Sequence, residues 1–243
     1  MTTETKTQKR RVRPWILTVV IILALGAAIL AAATLLLRDE TTEEATFDLS
    51  TVTGIRTVVE AGHVDIETDD RSDIQVVTVL TFGLGSEPQS EVTLEAGVLS
   101  IESECQSFLI STCRVTYRVT VPREVALTLD LETTSGNVEL GGASGPVVVQ
   151  TTAGNIDVTD HVGEEADLRT TAGNVSFEAS TAPTRLSIET TAGSITVEVP
   201  DVGYRLDTET TVGSINVDLG QEPDAEGTIE ASTTTGSINL IGR

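Results

Sequence analysis

Thr151-Thr152-Ala153-Gly154-Asn155-Ile156-Asp157-Val158 is a phrase the chain repeats. Residues 133–140 read TTSGNVEL, 170–177 TTAGNVSF, 190–197 TTAGSITV, 210–217 TTVGSINV and 233–240 TTTGSINL. The glycines are Gly136, Gly154, Gly173, Gly193, Gly213 and Gly236, at steps of 18, 19, 20, 20 and 23 residues. A fixed period near 20 is the mark of a solenoid. The spacing predicts an all-β fold, a single-stacked parallel β-solenoid of ~20-residue coils.

Each unit has two runs of alternating apolar residues around its glycine. Val147 and Val149 precede Gly154, and Ile156 and Val158 follow it; the other units do likewise. Period-two alternation buries one face of a strand. Counting in twos places Thr133, Thr151, Thr170, Thr190, Thr210 and Thr233 on the inner face, a ladder in which each hydroxyl can bond the next. The second Thr of each pair faces water. The glycine suits a turn of positive φ. So a unit reads strand, tight turn, strand, loop. One unit cannot bury its own apolar face, so neighbours must stack on it. Six coils at about 4.8 Å make a rod of roughly 29 Å. An antiparallel sandwich of hairpins also buries alternating faces, but it does not require like residues at like places in every unit.

Upstream, Val59-Glu60-Ala61-Gly62-His63-Val64-Asp65-Ile66 fits the repeat, with Gly62 in the turn and Val59 in the inward Thr slot. Residues 94–101 fit less well around Gly97. Extra strands are expected at 74–82 and 115–121. These wider coils can cap the N-terminal end of the stack, where an open sheet edge would otherwise pair with another molecule.

The chain opens with a short basic tail, 1–14, carrying Lys6, Lys9, Arg10, Arg11 and Arg13 against Glu4. Residues 15–37 carry no charge over 23 positions, enough at about 1.5 Å per residue to cross a bilayer core of about 30 Å. Basic residues before the span and acids after it orient the N-terminus to the cytoplasm and the rest outside. A cleaved signal peptide is the alternative, with Ala31-Ala32-Ala33 as its small residues. The apolar run, however, is longer than a signal-peptide core and continues through Leu35, Leu36 and Leu37. The expectation is an uncleaved, single-pass transmembrane helix in the cell membrane, a polar linker at 38–46 and an extracytoplasmic β-solenoid at 47–243.

Ala61-Gly62-His63-Val64-Asp65-Ile66, the strand end Val119-Thr120-Val121-Pro122 and the serial T-x-x-G-[NS]-[VI] units resemble the DUF4097 family of putative adhesins. The resemblance runs from about Phe47 to Ile241. It implies a β-solenoid behind an N-terminal membrane segment. Its motifs are turn and core residues, so it carries no catalytic or binding residue onto this sequence.

The chain holds 15 Lys+Arg and 37 Asp+Glu. Six of those bases and one acid lie at or before Arg38, which leaves 9 bases against 36 acids, a net of −27, with no lysine. Such a surface repels nucleic acid. Cys105 and Cys113 lie eight apart in one insert, and an exported chain with two cysteines is expected to close them as a disulfide. His63 takes the slot that Asn or Ser fills in other turns. Asp160, His161, Glu164 and Glu165 bring metal-ligating types into one loop, read here as a solvated loop. The carboxylate pairs Asp69/Asp70 and Glu164/Glu165 do not make a glycosidase pair, because neighbours on a strand face opposite ways. No EF-hand, G-x-S-x-G, H-E-x-x-H or phosphate loop is present.

The residues therefore point away from an enzyme and from any cofactor or metal. They point to an adhesive, scaffolding or partner-binding module at the cell envelope. Its expected partners are the lipid bilayer, through the N-terminal helix, and another envelope or membrane protein or cell-wall material, with self-association open. A regulatory accessory sensing envelope stress through a membrane partner is the alternative, and a carbohydrate-active enzyme the third reading.

Overall fold

The computed structural model describes residues 39–83, 88–105, 113–123 and 125–243. The transmembrane segment expected at 15–37 and the tail at 1–14 lie outside them. Among the described residues no helix is long and apolar enough to cross a membrane.

The chain enters on β1 (Asp39–Asp48), then β2 (Gly54–Asp69), β3 (Asp73–Phe82), β4 (Gln89–Glu95), β5 (Val98–Glu104) and β6 (Cys113–Pro122). The repeats follow as strand pairs: β7 (Thr128–Ser135) with β8 (Val138–Gly141), β9 (Val147–Ala153) with β10 (Ile156–His161), and β11 (Glu165–Ala172) with β12 (Val175–Ala179). After these come β13 (Arg185–Ala192) with β14 (Ile195–Val199), β15 (Arg205–Val212) with β16 (Ile215–Asp218), and β17 (Thr228–Thr235) with β18 (Ile238–Gly242).

Each pair is one coil. Its first strand joins one parallel sheet and its second strand the other. In the first sheet Thr133, Thr151, Thr170 and Thr190 lie in one row. In the second, Val138, Ile156, Val175 and Ile195 do the same. The apolar slots face inward and are buried, Leu168, Leu186, Ile195 and Val197 at 0 % exposure. The parallel all-β stack expected from the repeat is thus the observed one.

The order of the stack is not the order of the sequence. β13 pairs with β17, and β17 with β15; β14 pairs with β18, and β18 with β16. The last coil is inserted beneath the fifth. The coil at 228–242 therefore lies inside the stack, and β15/β16 is its terminal coil. The reason lies in the inward slots. β17/β18 brings Ile229, Ala231, Ile238 and Leu240, all buried, whereas β15 places Thr208 in register with Ala231. Burying the more apolar coil on both faces gains more than burying one that carries a hydroxyl there. The long connection between Asp218 and Thr228 lets the chain step over one coil and return.

The N-terminal end follows the same logic. The first half of β2 pairs with β5 and β7, its second half with β6 and β8. So the β5/β6 coil lies outside β2, although it comes later in the chain. Over it, β4 runs antiparallel on β5 and β3 antiparallel on β6. Ala96 and Gly97, with φ of 50° and 87°, make the tight hairpin between β4 and β5, which is why this stretch matched the repeat poorly.

The linker expected at 38–46 is instead, from Asp39, within β1, which pairs with β3. Its acidic, mostly exposed residues give no apolar alternation to read. An edge strand needs only backbone pairing, and charged side chains suit an edge.

The repeat glycines form a column set by packing more than by the expected positive-φ turn: Gly136, Gly193, Gly213 and Gly236 lie at φ of 151–159°, close to extended backbone, and Gly62, Gly154 and Gly173 are not at positive φ. A Cβ on Gly136 would sit 1.4 Å from the Gly62 carbonyl oxygen, and one on Gly173 would sit 1.9 Å from that of Gly154. Successive coils approach backbone to backbone at this corner, and only glycine fits. Next to the column, the Asn155, Asn174 and Ser194 N–H groups donate to the side-chain oxygens of Asn137, Asn155 and Asn174 at 2.9–3.0 Å.

Candidate functional site

The inward threonines Thr133, Thr151, Thr170, Thr190 and Thr233 are buried, and Thr210 is half-buried in the last coil of the stack. Their hydroxyls do not bond one another as expected. Thr170, Thr190, Thr233 and Thr210 donate to the carbonyls of Gly154, Gly173, Gly193 and Gly236 in the adjacent coil at 3.0–3.1 Å. The threonines stack in register, but from Thr170 on each hydroxyl reaches the glycine carbonyl at the close corner of the adjacent coil. Thr133 and Thr151, at the N-terminal end of the row, have no partner for their hydroxyls.

The outward face gives the candidate surface. Parallel, in-register stacking turns each outward position into a straight row with a strand's spacing, about 4.8 Å. One row is Thr134, Thr152, Thr171, Thr191, Thr234 and Thr211, in stack order and all exposed. Beside it run Glu132, Gln150, Arg169, Glu189, Ser232 and Glu209. Between the rows lies a shallow groove of about 300 Å³, crossing four coils. Arg169 is its cation, held by Asp167 at 2.7 Å and Glu189 at 3.8 Å. Such a surface offers hydroxyls, an amide and charged groups at equal steps to an extended polar ligand.

The residues singled out in the sequence fall in separate places. Cys105 and Cys113 are joined, with Cα atoms 5.8 Å apart, and close the insert between β5 and β6. His63 lies on the surface with its Nε2 3.7 Å from Glu139. His161 departs from the expectation of a solvated loop: this imidazole is wholly buried. A break in register after Val158, with Asp160 at φ 52°, turns His161 inward beside Phe177, ring centroids 5.4 Å apart. Neither ring nitrogen makes a well-formed hydrogen bond; burial pushes its pKa down to about 4, and the nearby Ala143 backbone, too poorly aligned to satisfy the ring, opposes this only in part. So Asp160 and His161 point apart, and among the described residues no three His, Cys, Asp or Glu side chains are arranged to hold a metal ion. Asp70 pairs with Arg123 at 3.4 Å, while Asp69 accepts the Asp70 N–H. Tyr117 and Tyr204 are buried and bonded inside, Tyr204 to the Pro200 carbonyl at 3.0 Å. Parity identified the outward rows in the sequence. It could not identify which coil ends the stack.

The family model described as Toastrack DUF4097 matches residues 71–241. Among solved structures, a putative cell adhesion protein from Clostridium sporogenes ATCC 15579 is similar at 12% identity, over 84% of this chain and 100% of that one, with a TM-score of 0.47. A putative adhesin from Bacteroides fragilis NCTC 9343 is similar at 12% identity, over 83% and 97%, with a TM-score of 0.46. No curated protein matches the chain.

Proposed function

The chain belongs to the Toastrack DUF4097 family, and on that footing we propose that it is a membrane-anchored extracytoplasmic binding module, adhesive or scaffolding, with no catalysis of its own. The observation that carries the reading is the pair of outward rows flanking the Arg169 groove. They repeat the same few polar groups along the stack, which suits a repetitive polymer or an extended partner. Each contact is weak alone, but contacts at fixed spacing add through high effective concentration. The adhesin names of the similar structures agree in kind. The apolar stretch 15–37 would hold this surface at the membrane, and the acidic balance of the exported region would keep it soluble and apart from anionic polymers.

The test uses cells that carry the full chain and purified cell-wall material as the probe. Retention of that material is expected, falling at least several-fold in an Arg169→Glu/Gln150→Glu variant whose thermal unfolding matches the wild type. Equal retention by both, or release of cleaved glycan by the purified chain, contradicts the reading.

A further inference from the structure

At the end of β10 a titratable ring occupies an apolar slot. His161 is 0% exposed and is in register with Ala179; the neighbouring coils end β12 and β14 on Ala179 and Val199, buried to the same degree. An aliphatic side chain fills such a slot without stripping water from an imidazole, so what the histidine adds is a response to protons. The backbone that holds it is irregular. The register breaks after Val158, and Asp160 at φ 52° turns His161 inward and itself outward. Without that bulge, counting in twos from Ile156 and Val158 puts His161 outside. Two hydrogen bonds close the corner: the Val162 N–H donates to the Ala143 carbonyl at 2.9 Å, and the Ser180 N–H to the His161 carbonyl at 2.8 Å. The residues on either side of His161, Asp160 and Val162, line an outer groove of about 560 Å³ with Glu67, Thr68, Arg123 and Ser180.

We propose that this bulge is an acid-operated latch: on taking a proton, the imidazole leaves the core for the groove, where Asp160 and Glu67 receive its charge, and the corner at 159–164 opens while the rest of the stack stays closed. Inside, nothing stabilises an imidazolium. The ring meets Phe177 of β12, Gly163 of the following turn and the Ala143 backbone between β8 and β9. The inward residues of β9 and β11, Val147, Val149, Ala166 and Leu168, are apolar. The charged groups of this corner are on its outer side: Asp160, Glu67, Glu164, Glu165 and Arg123 are exposed, and Glu178 pairs with Arg243. A proton therefore costs free energy with the ring in and gains carboxylate neighbours with the ring out.

The buried ring takes its proton near pH 4, a solvated one near 6.5. The closed corner is thus fully favoured above pH 6.5. Each unit of pH below that shifts the balance about tenfold towards the open form, until about pH 4. Opening gives up the two corner hydrogen bonds but leaves the register of Ile156–Val158 intact, so it is a local event at a strand end. With the domain outside the cell, as proposed above, the latch reads external pH; that use rests on the placement, whereas the test of the latch does not.

The experiment uses the full detergent-solubilised chain with Ala179→Cys, the sole free thiol because Cys105 and Cys113 are bonded to each other. Its rate of trapping by a thiol reagent that works in acid is divided by that of Ser176→Cys, which is exposed. The ratio is expected to rise on the order of 50-fold from pH 7.5 to 4.5. The rise should vanish when His161→Leu is added, and Val197→Cys, buried two coils further on, should stay protected at both pH values. A flat ratio, a rise that survives His161→Leu, or an equal rise at Val197→Cys overturns the proposal. Hydrogen exchange of the wild-type chain, corrected for the intrinsic effect of pH, is the second measure and needs no substitution. The Val162 and Ser180 amides should lose protection in acid while that of Ile195 keeps it; unchanged protection at Val162 and Ser180, or equal loss at all three, overturns the latch. Retention of cell-wall material is read separately, so failure of the latch leaves the binding-module reading to its own test.

Discussion

The Thr170 hydroxyl donates to the Gly154 carbonyl of the adjacent coil at 3.1 Å, whereas the Thr133 hydroxyl, in the same row and equally buried, donates to nothing. The same residue type at the same slot thus has opposite energetics. Thr170→Val removes a satisfied hydrogen bond and should cost about 1 kcal/mol. Thr133→Val removes an unpartnered buried hydroxyl and should be neutral or stabilise by up to about 1 kcal/mol. Paired denaturant melts check this; equal losses at both positions would refute the ladder as described.

The glycine column should be intolerant of even one carbon. Gly173→Ala drives a Cβ to 1.9 Å from the Gly154 oxygen and must force the backbones of adjacent coils apart. The expected loss is on the order of 3 kcal/mol, a fall in Tm of roughly 10 °C. Gly141→Ala is the control: the nearest atom to its added Cβ is 3.8 Å away, so the change should stay within about 0.5 kcal/mol.

His161 makes stability fall with acid. Its folded pKa, about 4, lies below the ordinary 6.5, so the unfolded chain binds the proton first. The stability of the neutral, buried ring is fully present above pH 6.5 and is lost as pH falls from there towards 4. The loss should approach about 3 kcal/mol. Thermal melts from pH 7 to 4 should show a steeper decline for the wild type than for His161→Leu, which keeps the apolar packing and does not titrate. Parallel declines would contradict this.

Arg243 ties the last residue of the chain to coils far back in sequence. Its guanidinium meets Glu178, lies 3.5 Å from Glu198 and donates to the Ala179 carbonyl at 2.8 Å. Glu178 and Glu198 are neighbours in register, so Arg243 also relieves a like-charge pair. Arg243→Ala should cost about 0.5–1 kcal/mol in low salt and less in about 1 M salt. A loss unchanged by salt would assign the effect to packing instead.

Much of the architecture was legible because a solenoid writes its period into the chain. Alternation about Gly154 assigned the strands, parity turned Thr170 and Thr190 inward, and the two cysteines pointed to the disulfide. Stack order was hidden for the same reason. Every coil offers nearly the same edge, so Thr190 could neighbour Thr210 or Thr233 on pattern alone. The longer step from Gly213 to Gly236 and the Thr208 hydroxyl in an inward slot were the only local hints. β1 was hidden because its pairing is all backbone. His161 was hidden because a bulge at Asp160, which parity does not foresee, moved it from the surface to the core.

The inserted final coil, and with it the open β15/β16 end, is tested most directly by intrachain disulfide trapping. Glu189 is in register with Ser232, and Ser232 with Glu209. Neighbouring parallel strands are about 4.8 Å apart, within disulfide reach, whereas strands two steps apart lie near about 9.6 Å and cannot be bridged. The Glu189→Cys/Ser232→Cys chain should therefore oxidise readily to an internal disulfide, and Glu189→Cys/Glu209→Cys should not. The reverse result would mean that the coils stack in sequence order, that 228–242 closes the stack, and that the end described here does not exist.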